Sequence, residues 1–302
     1  MKTVELLNST PERLDIALSR ALGLSRAKAQ RAIKDGRVFV NGDVSDAHNL
    51  VDTSKEVTMD DNTFVQQPRS GELPTLDIVY EDTDVLVVNK PAGILVHATE
   101  NSNEYTLHDA ILHTYPNIAA IGNDATRSGI VHRLDKEASG VLIVAKTPEA
   151  FVSLKQAFAE RKTVKRYTVL VVGKVADDSG TINFPIARST THARMAARPL
   201  SQEGKDAITH YEVLKRYANA TLLNVHIETG RTHQIRAHFF ALGNPVAGDK
   251  LYVQRGIKQF TLGRLFLHAR ELTIPLPSGE TQTFIAPVPQ ELETVLTTLH
   301  EV

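Results

Sequence analysis

GIVHRLDKEASGVLIVAK, residues 129–146, places one acid between basic residues directly before an apolar run. Residues 141–145 are all apolar, which is typical of a strand that is buried on both faces. Asp135 stands at the mouth of this strand, close to Arg133 and Lys136. Opposite charge favours the ionised form of a carboxylate, and an ionised carboxylate can act as nucleophile or base. The segment therefore predicts a buried strand with a reactive acid at its start.

The composition is that of an ordinary globular protein. The chain has 302 residues, of which 42% are hydrophobic, enough for one large domain or two. The chain has no Cys, which excludes disulfides, thiolate nucleophiles and Cys-ligated zinc. No signal-peptide-like or membrane-spanning apolar run is found, which predicts a soluble, cytoplasmic protein. The formal net charge of -1 indicates that any nucleic-acid interface must be a local patch.

Residues 10–41 predict a small unit made of two helices and a hairpin. The first helix is expected to begin at Thr10-Pro11 and to end at Gly23. A second helix is expected to begin near Ser25, and the Asn41-Gly42 pair after an apolar strand is typical of a tight hairpin turn.

This unit is locally basic, with seven Lys or Arg residues against three acids in residues 10–41. A solvated helix face explains such a bias on composition alone. However, RLD at 13–15, SR at 25–26 and GRVFVNG at 36–42 resemble the S4 RNA-binding domain. The resemblance implies that the second helix docks on folded RNA through phosphate contacts. The residues expected to make those contacts are Arg26, Lys28, Arg31 and Lys34.

A polar stretch with two prolines and a glycine, residues 66–75, predicts a flexible linker. It divides the chain into an S4-like domain at 1–65 and a catalytic domain at 76–302. In the second domain, predicted strands and helices are interspersed without regular alternation. We therefore expect an α+β fold, with a mixed, largely antiparallel sheet flanked by helices and loops.

A second basic stretch surrounds KRY at 165–167, which begins another predicted strand. Residues 155–198 hold nine Lys or Arg residues against three acids, a bias that an RNA-facing surface including Lys165 and Arg166 would explain. An exposed Tyr167 can stack on a base, whereas a buried one fills the core with its hydroxyl at the edge.

The segment ETGRTHQIRAH, residues 228–238, predicts a glycine turn that opens a helix. Arg236 and His233 are expected to face a cleft, while Ile235, Phe239 and Leu242 pack inward. His233 and His238 are five residues apart, which does not match the spacing of a zinc-binding helix. We therefore predict no metal site.

Four segments together resemble the RluA-type RNA pseudouridine synthases, in the branch that has an N-terminal S4 domain and acts on large-subunit ribosomal RNA. They are HRLD at 132–135 with SG at 139–140, KRY at 165–167, GRTHQIR at 230–236 and GD at 248–249. The chain departs from the family at Ala138, where Thr is usual, and at Val253, where Gly is usual.

The resemblance implies that Asp135 is the catalytic aspartate. It also implies that Tyr167 stacks on the target base and that Arg236 holds the carboxylate in its ionised form. Arg133 contacts the flipped nucleotide or braces its own loop. Further RNA contacts are expected from Lys165, Arg166, Arg231 and His233. The implied reaction breaks the N1–C1′ bond of uridine and joins C5 to C1′ without a cofactor; Asp135 attacks C1′, adds to C6 or removes a sugar proton.

The expected partner is structured RNA, with ribosomal RNA favoured over tRNA because of the S4-like arm, and the expected state is a monomer. A lone loop histidine such as His132 more often serves a structural hydrogen bond than catalysis. A non-catalytic ribosome-assembly factor is the rival function, and Asp135 argues against it. Glycoside hydrolysis is a weaker rival, since no second acid stands in a matching context.

Overall fold

The computed structural model describes residues 1–24, 26–60, 69–99, 102–122, 124–257, 259–260 and 262–301. The chain folds into two compact units. The first comprises Met1–Ser70 with Thr99–Asn103, and the second comprises Gly71–Ala98 with Glu104–Val302. Residues 66–68 of the expected linker lie outside the described residues, so the linker and the domain limits stay predictions. Ser25, the expected start of the second helix, also lies outside them.

The described elements of the first unit form two small sheets and a helix pair. In chain order they are β1 (Lys2–Val4), β2 (Glu12–Arg13), α1 (Leu14–Leu22), α2 (Arg26–Lys34), β3 (Val38–Val40), β4 (Asp43–Val44), β5 (Leu50–Val51) and β6 (Val57–Met59). One sheet has the order β1-β6-β3-β4, and β2 pairs with β5. Leu14, Leu18, Ala29 and Ile33 are buried between them.

Most local expectations for this unit are confirmed. Gly23 ends α1 in the left-handed conformation. Asn41 and Gly42 both have positive φ, at 52° and 89°, as a type I′ hairpin turn requires. The expected helix start at Thr10-Pro11 is wrong, because Glu12 and Arg13 pair with β5 as a strand before α1 begins.

The second unit is built around one large sheet. Its elements are β7 (Ile78–Glu81), β8 (Val85–Lys90), α3 (Leu107–Thr114), a 3-10 helix (Pro116–Ala120), β9 (Ser139–Ala145), α4 (Pro148–Ala159), β10 (Val164–Val172), β11 (Ser179–Ile182), β12 (Ile186–Arg188), β13 (Met195–Ala197), β14 (Thr209–Arg216), β15 (Ala220–Ile227), α5 (Gln234–Ala241), β16 (Leu267–Pro275), β17 (Thr281–Ile285) and α6 (Gln290–Thr297).

The strand order of this sheet is β11-β14-β15-β10-β16-β9-β8-β7, with β17 also paired to β16. Its neighbouring strands are antiparallel except for β9 and β16, which are parallel. The expectation of an α+β fold with a mixed, largely antiparallel sheet is confirmed.

Strand β9, which follows Asp135, lies in the middle of the core with all seven residues buried. Its parallel pairing with β16 brings Gly140 against Ala269, where a Cβ atom on residue 140 would lie 2.1 Å from the carbonyl oxygen. Only glycine fits this approach. The end of the Asp135 loop is thereby fixed to the centre of the sheet.

The C-terminal helix α6 packs against the sheet through Leu292, which is fully buried. The expectation for Leu242 is wrong: the residue is 41% exposed, at the C-cap position where α5 ends. Within the described ranges, no helix has both the length and the apolar character needed to cross a bilayer.

Candidate active site

A pocket of about 420 Å³ opens in the second unit beside the start of β9. This volume is in the range of small-molecule sites and can hold one nucleotide. The pocket brings together seven residues expected from the sequence to belong to the site: Arg133, Asp135, Lys165, Tyr167, Arg231, His233 and Arg236.

Arg236 connects two carboxylates at the base of this pocket. Its Nε and Nη2 atoms donate to Asp249 at 2.7 and 2.9 Å, which is a bidentate pair. Its Nη1 atom donates to Oδ2 of Asp135 at 3.2 Å. The Asp249 side chain is fully buried, whereas that of Asp135 is 16% exposed. Asp249 therefore anchors the guanidinium, and Asp135 is the carboxylate that remains accessible from the pocket.

The charged states of Arg236 and Asp249 depend on each other. Burial by itself would raise the pKa of Asp249, but hydrogen bonds and the positive charge of Arg236 outweigh it and lower that pKa. The pKa of Arg236 is raised despite its own burial, since Asp249 and then Asp135 favour the charged guanidinium. Asp249 also accepts the backbone N–H groups of Leu251 and Tyr252 at 2.8 and 3.0 Å.

The turn before α5 is held by the buried side chain of Gln234. Its Oε1 accepts from the Arg231 amide at 3.0 Å and from the Thr229 hydroxyl at 2.8 Å. Its Nε2 donates to the Ile208 carbonyl at 3.0 Å. His233 precedes the helix in the left-handed conformation, at φ 56°. The glycine turn expected here thus opens a helix whose first turn points Arg236 at Asp135.

Tyr167 is buried and also faces the pocket. Its side chain is 8% exposed and belongs to the hydrophobic core, yet it also lines the pocket. Burial, and then the negative charge of Asp135, raise its pKa, so the phenol stays protonated near neutral pH. The ring is thus held rigidly in the wall of the pocket that contains Asp135.

The pattern that carries this geometry matches a known family. A family model described as RNA pseudouridylate synthase matches residues 84–241, and the S4 domain model matches residues 12–57. The chain belongs to the RNA pseudouridylate synthase family. The resemblance read from the sequence is confirmed, and the chain is an RNA pseudouridine synthase with an S4 domain.

Relatives extend the match over nearly the whole synthase. An uncharacterized RNA pseudouridine synthase of Synechocystis is 36% identical over 293 residues, covering 96% of this chain and 89% of its own. The ribosomal large subunit pseudouridine synthase D of Vibrio parahaemolyticus is 36% identical, over 93% of this chain and 89% of its own. The structure of human RNA pseudouridylate synthase domain containing 1 superposes with a TM-score of 0.63 at 29% identity, covering 78% of this chain and 91% of its own.

The residues next to Asp135 in the sequence do not pair with it in the synthase. Lys136 instead forms an ion pair with Glu104 at 2.7 Å. Arg133 is exposed at the pocket and has no hydrogen bond or ion pair within the described part of the chain. The expectation that Arg133 and Lys136 are the partners of the Asp135 carboxylate is wrong, because its partner is Arg236, which approaches from α5.

The side chains of His132 and Lys90 hold the Asp135 loop in place through hydrogen bonds. Nε2 of His132 accepts the Ile143 amide at 3.0 Å, which confirms the structural hydrogen bond expected for it, and burial lowers its pKa to about 3. Lys90 is fully buried, and its Nζ donates to the carbonyls of Pro91, Ile94 and Lys136 at 2.7, 2.8 and 3.1 Å. Lys90 therefore fastens the residue that follows Asp135.

Not every expected RNA contact lies at the pocket. Arg166 projects from the opposite face of β10 from Tyr167 and lies 3.4 Å from Glu271. The four basic residues expected on the second helix lie in the first unit, where all are exposed on α2: Arg26, Lys28, Arg31 and Lys34.

In the first unit, Arg26 is held by the buried carboxylate of Asp15 at 2.8 Å. Arg13 and Gln30 donate to the same carboxylate. Burial alone would raise the pKa of Asp15, but hydrogen bonds from Arg13, Arg26 and Gln30 lower it well below the ordinary range. This network fixes the direction of the Arg26 side chain.

Sequence reasoning missed three supporting residues, namely Lys90, Asp249 and Asp15. The pair Gly248-Asp249 was a visible signal for the second, but only the fold shows that Asp249 is the main partner of Arg236. RLD at 13–15 likewise pointed to Asp15 without indicating its three donors. Lys90 had no signal of its own, because a lysine after an apolar strand is normally exposed.

Proposed function

We propose that this synthase isomerises uridines of large-subunit ribosomal RNA to pseudouridine, with Asp135 as the reacting carboxylate. The observation that carries the proposal is the contact of Asp135 with Arg236 inside a nucleotide-sized pocket walled by Tyr167. The ribosomal substrate is supported by the name of the Vibrio parahaemolyticus relative and by the S4 domain, which suits a large folded RNA.

The target base has to leave the RNA stack before any of this chemistry, because a base held between its neighbours cannot enter the pocket or turn. Extrusion of a nucleotide costs a few kcal/mol, and an aromatic side chain in the receiving pocket replaces part of the lost stacking. In this proposal Tyr167 provides that surface, and its burial in the core lowers the entropic cost of ordering the ring.

Asp135 then acts on the nucleotide. The N1–C1′ bond breaks, the base turns, and C5 bonds to C1′; the proton on C5 leaves and N1 gains one, so that product and substrate have the same composition. Attack on C1′, addition at C6 and removal of a sugar proton each start from a carboxylate anion. Arg236 supports the anion in all three, and Asp249 holds Arg236 in place.

The electrostatics of the pocket favour a polyanion. Arg133, Arg161, Lys165 and Arg231 all line it. The two carboxylates in its lining are already engaged, since Asp135 contacts Arg236 and Glu228 pairs with His210 at 2.8 Å. The remaining positive charge is available for the phosphates that flank the target uridine.

The test is to incubate the purified protein with unmodified large-subunit rRNA and with tRNA transcripts, and to map pseudouridine by carbodiimide labelling and primer extension. The matched control is Asp135→Asn, which keeps the size of the side chain. We expect new stops in the rRNA with the wild type and none with the variant. Stops confined to tRNA would overturn the substrate, and stops that persist in Asp135→Asn would overturn the role of Asp135.

A further inference from the structure

Helix α4 ends in a conformation that its sequence does not favour. Arg161 follows the helix with a φ of 58°, in the left-handed region. Glycine is the usual residue at such a helix end, because a Cβ atom strains this backbone conformation. Strain of this kind persists where the surrounding structure requires it, and such positions cluster at functional sites.

The Arg161 side chain makes no contact within the described residues that would compensate for this backbone strain. It is exposed, lines the pocket, and its guanidinium has no hydrogen bond or ion pair with any residue that the structure describes. An arginine that is strained in its backbone and unpaired in its side chain is best explained by a partner from outside the chain.

Lys165, which also lines the pocket, likewise has no anionic partner in the part of the chain that the structure describes. Its half-buried ammonium makes one long hydrogen bond, 3.4 Å to the carbonyl oxygen of Glu228. The Glu228 carboxylate is directed at His210 instead, so Lys165 has no anionic partner among the described residues. Burial, and then the positive charge of Arg161, lower the pKa of Lys165 to about 8. A cation partly removed from water without a counterion is unfavourable until an anion binds.

We propose that Arg161 and Lys165 together bind a single phosphate group of the RNA, next to the nucleotide that enters the pocket. The inference rests on the proposed RNA function. It adds the pair of side chains that positions the sugar-phosphate backbone of the RNA. Lys165 and Tyr167 are two residues apart on β10 and project from the same face of the strand. A phosphate held by Lys165 therefore lies at the wall on which the base stacks. A guanidinium and an ammonium are the donors that phosphate oxygens prefer.

The experiment compares the wild type with Arg161→Gly, Lys165→Gln and the double variant. Binding of a fluorescent large-subunit rRNA transcript is measured by anisotropy between about 50 and 200 mM salt. The control is Lys162→Gln, since Lys162 pairs with Glu160 at 2.7 Å and does not line the pocket. Thermal unfolding of each variant and pseudouridine formation by the wild type are measured in parallel.

The slope of log affinity against log salt is negative, and we expect each single variant to reduce its magnitude by about 0.7–0.9, the value for one phosphate contact. The double variant should lose no more than either single variant, because both cations serve one phosphate. Arg161→Gly should unfold at the same or a higher temperature, since glycine relieves the strained backbone. The control should keep the wild-type slope.

Unchanged slopes, additive losses in the double variant, or a lower unfolding temperature for Arg161→Gly would each overturn the shared phosphate site. If the wild type forms pseudouridine in the transcript while the slopes stay unchanged, only this inference fails. If the wild type forms none, the proposed substrate fails as well.

Discussion

Arg236 donates from Nη1 to Oδ2 of Asp135 at 3.2 Å, while its other edge is bound by the buried carboxylate of Asp249. The two carboxylates therefore share one guanidinium, but unequally. The short bidentate bonds to Asp249 fix the direction of Arg236, and the single longer bond leaves Asp135 free to change its contacts during a reaction.

Asp249→Asn should reduce both stability and turnover. It replaces a buried carboxylate that compensates the Arg236 charge, and breaking such a pair costs about 3–5 kcal/mol of unfolding free energy. Displacement of the guanidinium should lower the single-turnover rate by about 100-fold. Urea unfolding and single-turnover product formation measure the two effects.

The control for this variant is Asp178→Asn, which removes the exposed ion pair with Arg216. Exposed pairs of this kind contribute at most about 1 kcal/mol. Equal stability losses in the two variants would contradict the anchoring role of Asp249.

Tyr167→Phe should keep most of the activity, because the aromatic ring and its packing are retained. Tyr167→Leu should weaken binding of the flipped nucleotide by about 1–3 kcal/mol, the contribution of one stacked base. KM and kcat with the rRNA transcript, measured for both variants, separate the two effects. Equal losses in the Phe and Leu variants would show that the hydroxyl, and not the ring, is required.

RNA binding should weaken as the pH rises from about 7 to about 9, because Lys165, with a pKa of about 8, loses its charge in that range. The titratable groups around Lys165 do not change charge in this range: Tyr167 stays protonated, because burial raises its pKa, and burial lowers the pKa of His132 and of His226. The hydrogen bond from His210 lowers the pKa of Glu228. Affinity measured across this range should fall for the wild type and stay flat for Lys165→Arg. A parallel fall in both proteins would assign the pH dependence to another group.

The first unit should lose local stability in acid. Asp15 has a folded pKa below its unfolded value, so its contribution is present above the ordinary carboxyl range and is lost as the pH falls through the folded pKa. Hydrogen exchange of the α1 amides should therefore accelerate as the pH is lowered below about 4, after correction for the intrinsic rate. Asp15→Asn should exchange faster at neutral pH and show little further change in acid. Unchanged exchange in the variant would contradict the network.

The sequence predicted those parts of the fold that depend on local pattern. The apolar run at 141–145 became the fully buried strand β9, and Asn41-Gly42 formed the expected hairpin turn. The start of α1 was missed, because the pairing of Glu12 with Val51 across 39 residues overrides the Thr10-Pro11 signal. Local pattern carries no information about such a distant partner.

The site shows the same division. Asp135, Tyr167 and Arg236 could be named from their motifs, and the fold brings all three to one pocket. The ion-pair partners could not be predicted from residues that are adjacent in the sequence. Lys136 pairs with Glu104, and Arg236, the partner of Asp135, is 101 residues away in the chain. Likewise, the alternation of side chains along β10 separates Arg166 from Lys165 although they are adjacent in sequence.

The role of Asp135 is tested by single-turnover pseudouridine formation by Asp135→Asn, with RNA affinity and thermal unfolding measured on the same preparation. The substitution keeps the size of the side chain and an oxygen that can accept from Arg236, but it removes the carboxylate. If Asp135 is the reacting carboxylate, the variant forms no detectable pseudouridine at near wild-type affinity and stability. Product formation at the wild-type rate would show that Asp135 is not the group that reacts.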